Sequence, residues 1–381
     1  MKIRTITAGF TYHPTMTFDD FSVISDILHN LKQDFKQEGY QVQTIRMSTQ
    51  PFYDICKTKQ SLLSTIKRLD RWMNDQHIDY WNIGPIEKTA KIAWVPDILK
   101  TSSNVFCTAK ICDDTTIHYS SIRETAKTIQ KNADIEPQGF ANLRFAALCN
   151  IPANTPFYPA SYHGHPNPSF SLGFENSDLV YTAFQNASSI EKARQHLYDL
   201  LTKTYQPIEE FAEQCSTQYH ISYEGIDTSI STSIHKQESI AYACEHLLKE
   251  YLFGSPGTLT IAKIITDTVQ SLPLKKVGYN GLMLPVLEDH GLAIRNNEQQ
   301  FNLTNLLLYS AVCGTGLDTI PLPGTISRNK LEHILMDVAT LSTKLHKPLS
   351  ARLMPIPGRK QGEQTQYDFS YFKNSMIMNP R

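Results

Sequence analysis

The chain has 381 residues, of which 41% are hydrophobic and 19% charged, and its formal net charge is −1. That length can bury a sizeable core, as one large α/β domain or two medium ones. The near-neutral balance and the lack of any extended Lys/Arg run exclude general binding to nucleic acid, which needs basic residues concentrated on one face.

In chain order, Ile3 to Phe10 reads as a strand. Residues 19 to 37 then place Phe21, Ile24, Leu28, Leu31 and Phe35 on one helical stripe, and Gly39 stops that helix. A strand near Val42 to Met47 leads to a second amphipathic helix over 59 to 75, with Leu62, Ile66, Leu69 and Met73 at helical spacing. Short apolar segments at 78 to 84 and 104 to 112 precede a helix near 118 to 132. This β-then-α alternation predicts a sheet covered by helices, as an open α/β fold or a barrel.

Residues 138 to 175 interrupt the rhythm with many prolines, but their Phe and Tyr content favours strands joined by ordered loops over a linker. Two helices are expected over 188 to 215, broken near Pro207, followed by a strand or loop carrying Glu224 and Asp227. Further helices are expected at 238 to 252, ended by Gly254, at 258 to 270, and at 329 to 345. A single domain over 1 to 381 is the preferred organisation, with a split near 215 as the alternative. Seven widely spaced Cys without a C-x-x-C pair support neither a disulfide framework nor a zinc ribbon. The opening MKIRTITAGFTYHP lacks a signal-peptide core, and no apolar run approaches the roughly 18 residues of a membrane span. The expectation is a cytoplasmic protein with no membrane partner; the composition allows a homo-oligomer without specifying one.

The unusual chemistry is concentrated between Val277 and Gly358, where loops rich in Gly and Pro carry Glu288, Asp289 and His290, then Cys313 and Asp318, then Lys347 and Arg352. Adjacent Glu288 and Asp289 could act as an acid/base pair or bind a divalent metal, although in a strand only one of them would face a site. Cys313, in V-C-G-T-G, could be a nucleophile if its pKa were lowered; a buried Cys is the commoner case. The glycines around it stop short of G-x-G-x-x-G at Thr319, so no dinucleotide is implied. Arg144 and Arg352 are candidates to grip a carboxylate or phosphate. His163, two residues from His165, could serve as acid/base or metal ligand with a carboxylate such as Glu175 or Asp227. Each of these residues also has an ordinary structural explanation, as an ion pair, a cap or a core side chain.

The words IRTITAG, ANLRFAA, TPFYPASYH, SLGFE, GIDTSIS, GYNGLMLPVLEDHGLA, VCGTGLDTIPLPG and KPLSARLMPIPGRKQGEQT run through the whole chain. Through them the sequence resembles the prokaryotic domain of unknown function 711 family. Its N-terminal third is shorter and less alike, and Thr232 stands where a Pro is usual. The resemblance implies a ten-stranded α/β barrel surrounded by helices, of the type found in pyruvate formate-lyase and the glycyl radical enzymes. Those enzymes carry their radical Gly in a G-Y motif after the reactive Cys. Here the G-Y pairs, Gly39-Tyr40 and Gly278-Tyr279, both precede Cys313, so a glycyl radical is not expected.

Together these residues predict an enzyme acting on a small anionic metabolite in a central barrel pocket, by acid/base or metal-assisted chemistry. Glu288, Asp289, Asp318, Cys313 and His163 would be its catalytic candidates. Arg144, Arg352, Asp227, Glu175 and Tyr279 would be its substrate-binding candidates. The alternatives are a small-molecule sensor that uses the same pocket without turnover and a structural protein whose charged loops face solvent.

Overall fold

Strand β1 (Lys2–Phe10) points Ile6, Ala8 and Phe10 to one side, fully buried, and Thr5 and Thr7 to the other, also buried. A strand buried on both faces belongs inside a layered sheet, with helices outside and something else within. The computed structural model, which describes residues 1–380, shows what lies on each side.

The remaining strands are β2 (Gln41–Thr49), β3 (Tyr80–Ile86), β4 (Val105–Asp113), β5 (Thr116–Ile117), β6 (Phe145–Cys149), β7 (Ser169–Glu175), β8 (Ser222–Asp227), β9 (Gly316–Pro323) and β10 (Leu349–Ile356). They form a ten-stranded sheet in the order β8-β7-β1-β2-β3-β4-β6-β10-β9, with β5 a short appendage of β4. β1, β2, β3, β4 and β6 are mutually parallel, as are β7 with β8 and β9 with β10. The two sets meet antiparallel at β1/β7 and β6/β10.

No ladder joins β8 directly to β9. Between these edges runs the irregular segment 276–286, with parallel bridges Ile226 to Lys276 and Ile230 to Leu282 on one side and Pro285 to Asp318 on the other. Ile230 N donates to Gly281 O, Gly314 N to Leu282 O and Val286 N to Asp318 O, so the segment links the two edges. Gly281 and Gly314 make this contact possible. A Cβ on Gly281 would lie 2.3 Å from the Gly314 Cα.

The expected helices form where the apolar stripes lie. Helix Phe18–Gln37 buries Phe21, Ile24, Leu28, Leu31 and Phe35 and opens on a Thr17/Asp20 capping box. Helices Lys59–Asp75, Tyr119–Ala133, Thr258–Ser271 and Arg328–Leu345 follow the predicted spans closely. Helix Ile190–Tyr219 differs from the expected pair: it runs unbroken through Pro207. Its stripe of Leu197, Leu201, Tyr205, Ile208 and Ala212 stays in phase across the proline, whose ring sits on the exposed face. Packing of that stripe outweighs the roughly 3 kcal/mol an interior proline costs. The helix expected over 238 to 252 is shorter, Ile240–Leu248.

The connection from β6 to β7, residues 150–168, enters the ring from the end where β1 to β4 terminate. The inward side chains hold its backbone: Thr7 Oγ1 donates to Pro156 O at 2.9 Å and Asn82 Nδ2 to Pro159 O at 2.6 Å. Ser48 Oγ bonds Ser161 Oγ at 2.6 Å, and His163 N donates to Thr49 O. A buried loop must have its backbone polar groups satisfied, and the inner faces of β1, β2 and β3 supply the partners. The plug closes one end of the ring and leaves a cavity toward the other.

Candidate functional site

Alternation along the strands decides what faces the cavity. On β2, Ile45 and Met47 point outward to the helices, while Thr44, Arg46 and Ser48 point inward. By the same logic β3 presents Tyr80, β4 Phe106, and β10 Ser350 and Arg352 to the interior. The cavity holds about 360 Å³ and is lined by these residues with Arg4, Arg144, Glu136, Glu288, Asp318 and Tyr279. It lies toward the starts of β1 to β4 and beyond the end of β8, and segment 276–286 lends it Tyr279, Met283 and Pro285. Its walls are also aromatic and apolar, through Phe140, Leu143, Phe157, Tyr158, Met283 and Phe369. A neighbouring hollow of about 280 Å³ shares Arg4, Gln43, Thr232, Glu288 and Tyr371 with it.

One charged ladder crosses the cavity. Arg352 Nε donates to Asp318 Oδ1 and its Nη2 to Glu288 Oε1, each at 2.7 Å. Arg4 Nη2 reaches the other oxygen of Glu288 at 2.7 Å, and its Nη1 donates to Ser231 Oγ. Burial pushes the Asp318 carboxyl up, against the pull of Arg352 and with the Glu288 charge adding to the rise. For Arg352 burial opposes the charge, but Asp318 and Glu288 more than compensate and hold the guanidinium above its usual range.

Arg46 is different. Its Nε donates to Thr44 Oγ1 at 3.0 Å, and no carboxylate of the described residues pairs with it. The guanidinium lies 5.6 Å from the Tyr80 ring centroid and 5.0 Å from that of Tyr158, with Phe106 packed edge-on against both rings. Burial, and then repulsion from Arg4, lower its pKa to about 10. Asp79 acts on it only through space, so this buried cation in a cavity wall has no carboxylate in direct contact and is ready for an anion.

The expected site residues are placed as follows. Glu288, Asp318, Arg352, Arg144 and Tyr279 all line the cavity. Arg144 is already committed: it donates to the carbonyls of Leu99, Ser102 and Val105 and pairs with Glu136. Tyr279 Oη donates to Ser350 Oγ at 2.9 Å, and burial raises its pKa. Asp289 turns away from Glu288 and caps helix His290–Asn297. It accepts from Leu292 N, Ile240 N and Ser239 Oγ, and burial pushes its carboxyl up to about 6.

Asp227 lies beneath the loop 278–280 and accepts from Ser229 N, Tyr279 N and Asn280 N; its carboxyl is raised by burial. It thereby holds Tyr279 at the cavity wall. Glu175 pairs with Lys2 at 3.0 Å and approaches Arg4 at 3.9 Å, lining the neighbouring hollow.

Cys313 is fully buried outside the cavity lining, and burial raises its thiol. Lys347 caps the preceding helix by donating to Cys313 O and Ala311 O. His163 is buried against Gly9 with Nε2 unpartnered, and burial, with His165 nearby, lowers its pKa to about 4. Among the described residues no group of three His, Cys, Asp or Glu side chains is arranged to hold a metal ion.

Arg4 and Arg46 escaped the residue-level reading. Both sit on strands whose apolar residues had been recognised. The signal was the alternation itself: in QVQTIRMST, an arginine between two outward apolar residues must face inward.

Fold and cavity thus define an α/β barrel protein with a charged, aromatic-walled cavity in its interior. The chain belongs to the family described as Uncharacterised ACR (DUF711), whose model matches residues 1–370. It is similar to a UPF0210 protein of Pyrobaculum aerophilum, 30% identical over 247 residues, 62% of this chain and 54% of that one. A UPF0210 protein of Methanopyrus kandleri is 24% identical over 281 residues, 71% of this chain and 61% of the relative. A UPF0210 protein of Neisseria gonorrhoeae is 22% identical over 398 residues, 96% of this chain and 87% of the relative. The chain therefore spans little more than half the length of the first two relatives. Among the described residues no helix is long and apolar enough to cross a membrane.

Proposed function

We propose that the chain is an enzyme that takes a small anionic metabolite into the barrel cavity and works on it by acid/base chemistry. The observation that supports this most is Arg46, a guanidinium in the cavity wall with aromatic neighbours and no carboxylate. Arg144 and Arg352 spend most of their donors on the protein, so the anion's charge is assigned to Arg46, with Arg4 contributing through the shared field. Asp318 is the proton carrier: its carboxyl is raised by burial, and its hydrogen bond with Arg352 engages only Oδ1. Tyr279 and Ser350 form a second hydroxyl pair on the same wall.

The test is incubation of the protein with a metabolite extract, followed by mass spectrometry, using Asp318→Asn as the control. Loss of one anionic compound with wild type and not with the variant supports catalysis. If both proteins leave every compound unconsumed, the enzyme reading fails.

One observation favours a binding protein instead. Both oxygens of Glu288 are held by arginines, as is one oxygen of Asp318, which leaves few free basic atoms in the cavity. On that reading the extract yields a retained, unchanged anion.

A further inference from the structure

We infer that the ligand class is a monocarboxylate with a hydrocarbon or aromatic body, its carboxylate on Arg46 and its body against the apolar wall. This rests on the cavity being an anion site, as proposed above, and adds which anion.

Four arginines and three carboxylates line the cavity. Arg144 is matched by Glu136, while Arg352 and Arg4 are matched by Asp318 and Glu288. Outside the cavity, Lys2 is shared by Glu175 and Glu238, and Arg4 approaches Glu175 at 3.9 Å. Arg46 alone of the four has no carboxylate in contact, Asp79 acting on it only through space, and it satisfies one negative charge. A second anionic group would meet Glu136, Glu288 or Asp318 and suffer repulsion in a medium where charges interact strongly.

The Arg46 guanidinium lies against the Tyr80 and Tyr158 rings, 5.6 Å and 5.0 Å from their centroids, and with Nε on Thr44 it keeps its two Nη groups for a ligand. Paired parallel donors of this kind match a carboxylate or two phosphate oxygens. A phosphoryl group carrying a second charge calls in addition for another free cation or a cradle of N–H groups, from Lys, a glycine-rich turn or a helix start. Neither Lys nor Gly is among the lining residues.

Leu143, Phe157 and Met283 offer apolar surface in the same cavity, and Phe106 backs the tyrosines. At about 360 Å³ the space lies at the small end of ligand pockets, room for an acid of about ten to fifteen heavy atoms. Covering that wall by a hydrocarbon body contributes about 25 cal/mol for each Å² removed from water.

The test is a binding titration by calorimetry with phenylacetate, phenylacetamide, phenyl phosphate and succinate, on wild type and Arg46→Met, with circular dichroism to confirm that the variant is folded. Arg46→Lys is the second variant should Met fail to fold. The expected result is phenylacetate binding at least ten times tighter than any other probe, and its loss in the folded variant. Equal or tighter binding of phenyl phosphate or succinate, lost on substitution of Arg46, overturns the monocarboxylate assignment and leaves the anion site standing. Phenylacetate binding unchanged in the variant overturns the placement on Arg46. No binding of any anionic probe overturns both the class and the anion site it rests on.

Discussion

Replacing Arg352 by Met should destabilise the fold in a way that only a buried ion ladder explains. The side chain is 8% exposed, and its donors go to Asp318, Glu288 and the Leu143 carbonyl. Removing one partner of a buried pair costs about 3–5 kcal/mol, because the other charge is left desolvated. Glu288 keeps Arg4 at 2.7 Å, so the stranded group is Asp318, whose side chain retains 19% exposure through the cavity. That opening trims the expected loss to about 2–4 kcal/mol.

The pH dependence follows in sign. Without Arg352 the Asp318 pKa, already raised by burial, rises further. Between the unfolded carboxyl value and this raised one, the folded state binds more protons, so stability falls as pH increases. The Met variant should therefore lose more at pH 7 than at pH 5. Adding Asp318→Asn should restore part of the stability at pH 7, because no charge is left stranded. Urea unfolding of wild type, both single variants and the double variant at both pH values measures this cycle. A single-variant loss below about 1 kcal/mol, the range of exposed pairs, or no recovery in the double variant would refute the reasoning.

Arg46→Met should leave the melting temperature of the ligand-free protein unchanged or higher, since an unpaired buried charge is removed; a fall of more than about 2 kcal/mol in urea would mean that Arg46 is a structural anchor. His163 is held neutral in the fold, with a pKa lowered to about 4 by burial. Its contribution is thus fully present above about pH 6.5 and lost as pH falls toward 4, by about 2 kcal/mol after allowing for screening. The stability difference between wild type and His163→Gln should change by that amount across the window, and a pH-independent difference would contradict it. Gly281→Ala places a methyl group 2.3 Å from the Gly314 Cα, backbone against backbone, and should destabilise by about 2 kcal/mol as the links of 276–286 loosen. Full stability of that variant would show that the closure is slack.

What could be read from the chain alone follows from length and repetition. Helices of several turns, such as Lys59–Asp75, repeat their stripe often enough to fix both ends. Val95–Thr101, His290–Asn297 and Leu303–Ser310 are too short to show a stripe and were not foreseen. Closure of the ring through 276–286 leaves no periodic mark, because that segment is irregular; alternation allows an open α/β fold or a barrel, and only the family resemblance chooses between them. Gly- and Pro-bearing loops drew attention to Glu288, Asp318 and Arg352, which the fold brings into hydrogen-bond contact. The same cue drew attention to Asp289, which caps a helix, and to Cys313, which is packed away from the cavity. Loop chemistry alone does not distinguish a cap from a cavity group. Arg4 and Arg46 lie on strands, outside such loops; alternation turns Arg46 away from the helices, but a strand's sequence does not say that its second face encloses a hollow.

The most direct test of an anion site inside the barrel is a crystal soaked in iodide and measured at a wavelength where iodine scatters anomalously. The account predicts an anomalous peak within the cavity, in contact with the Arg46 guanidinium and lost in Arg46→Met crystals. Iodide peaks confined to the outer surface, with none beside Arg46 in wild type, would contradict it.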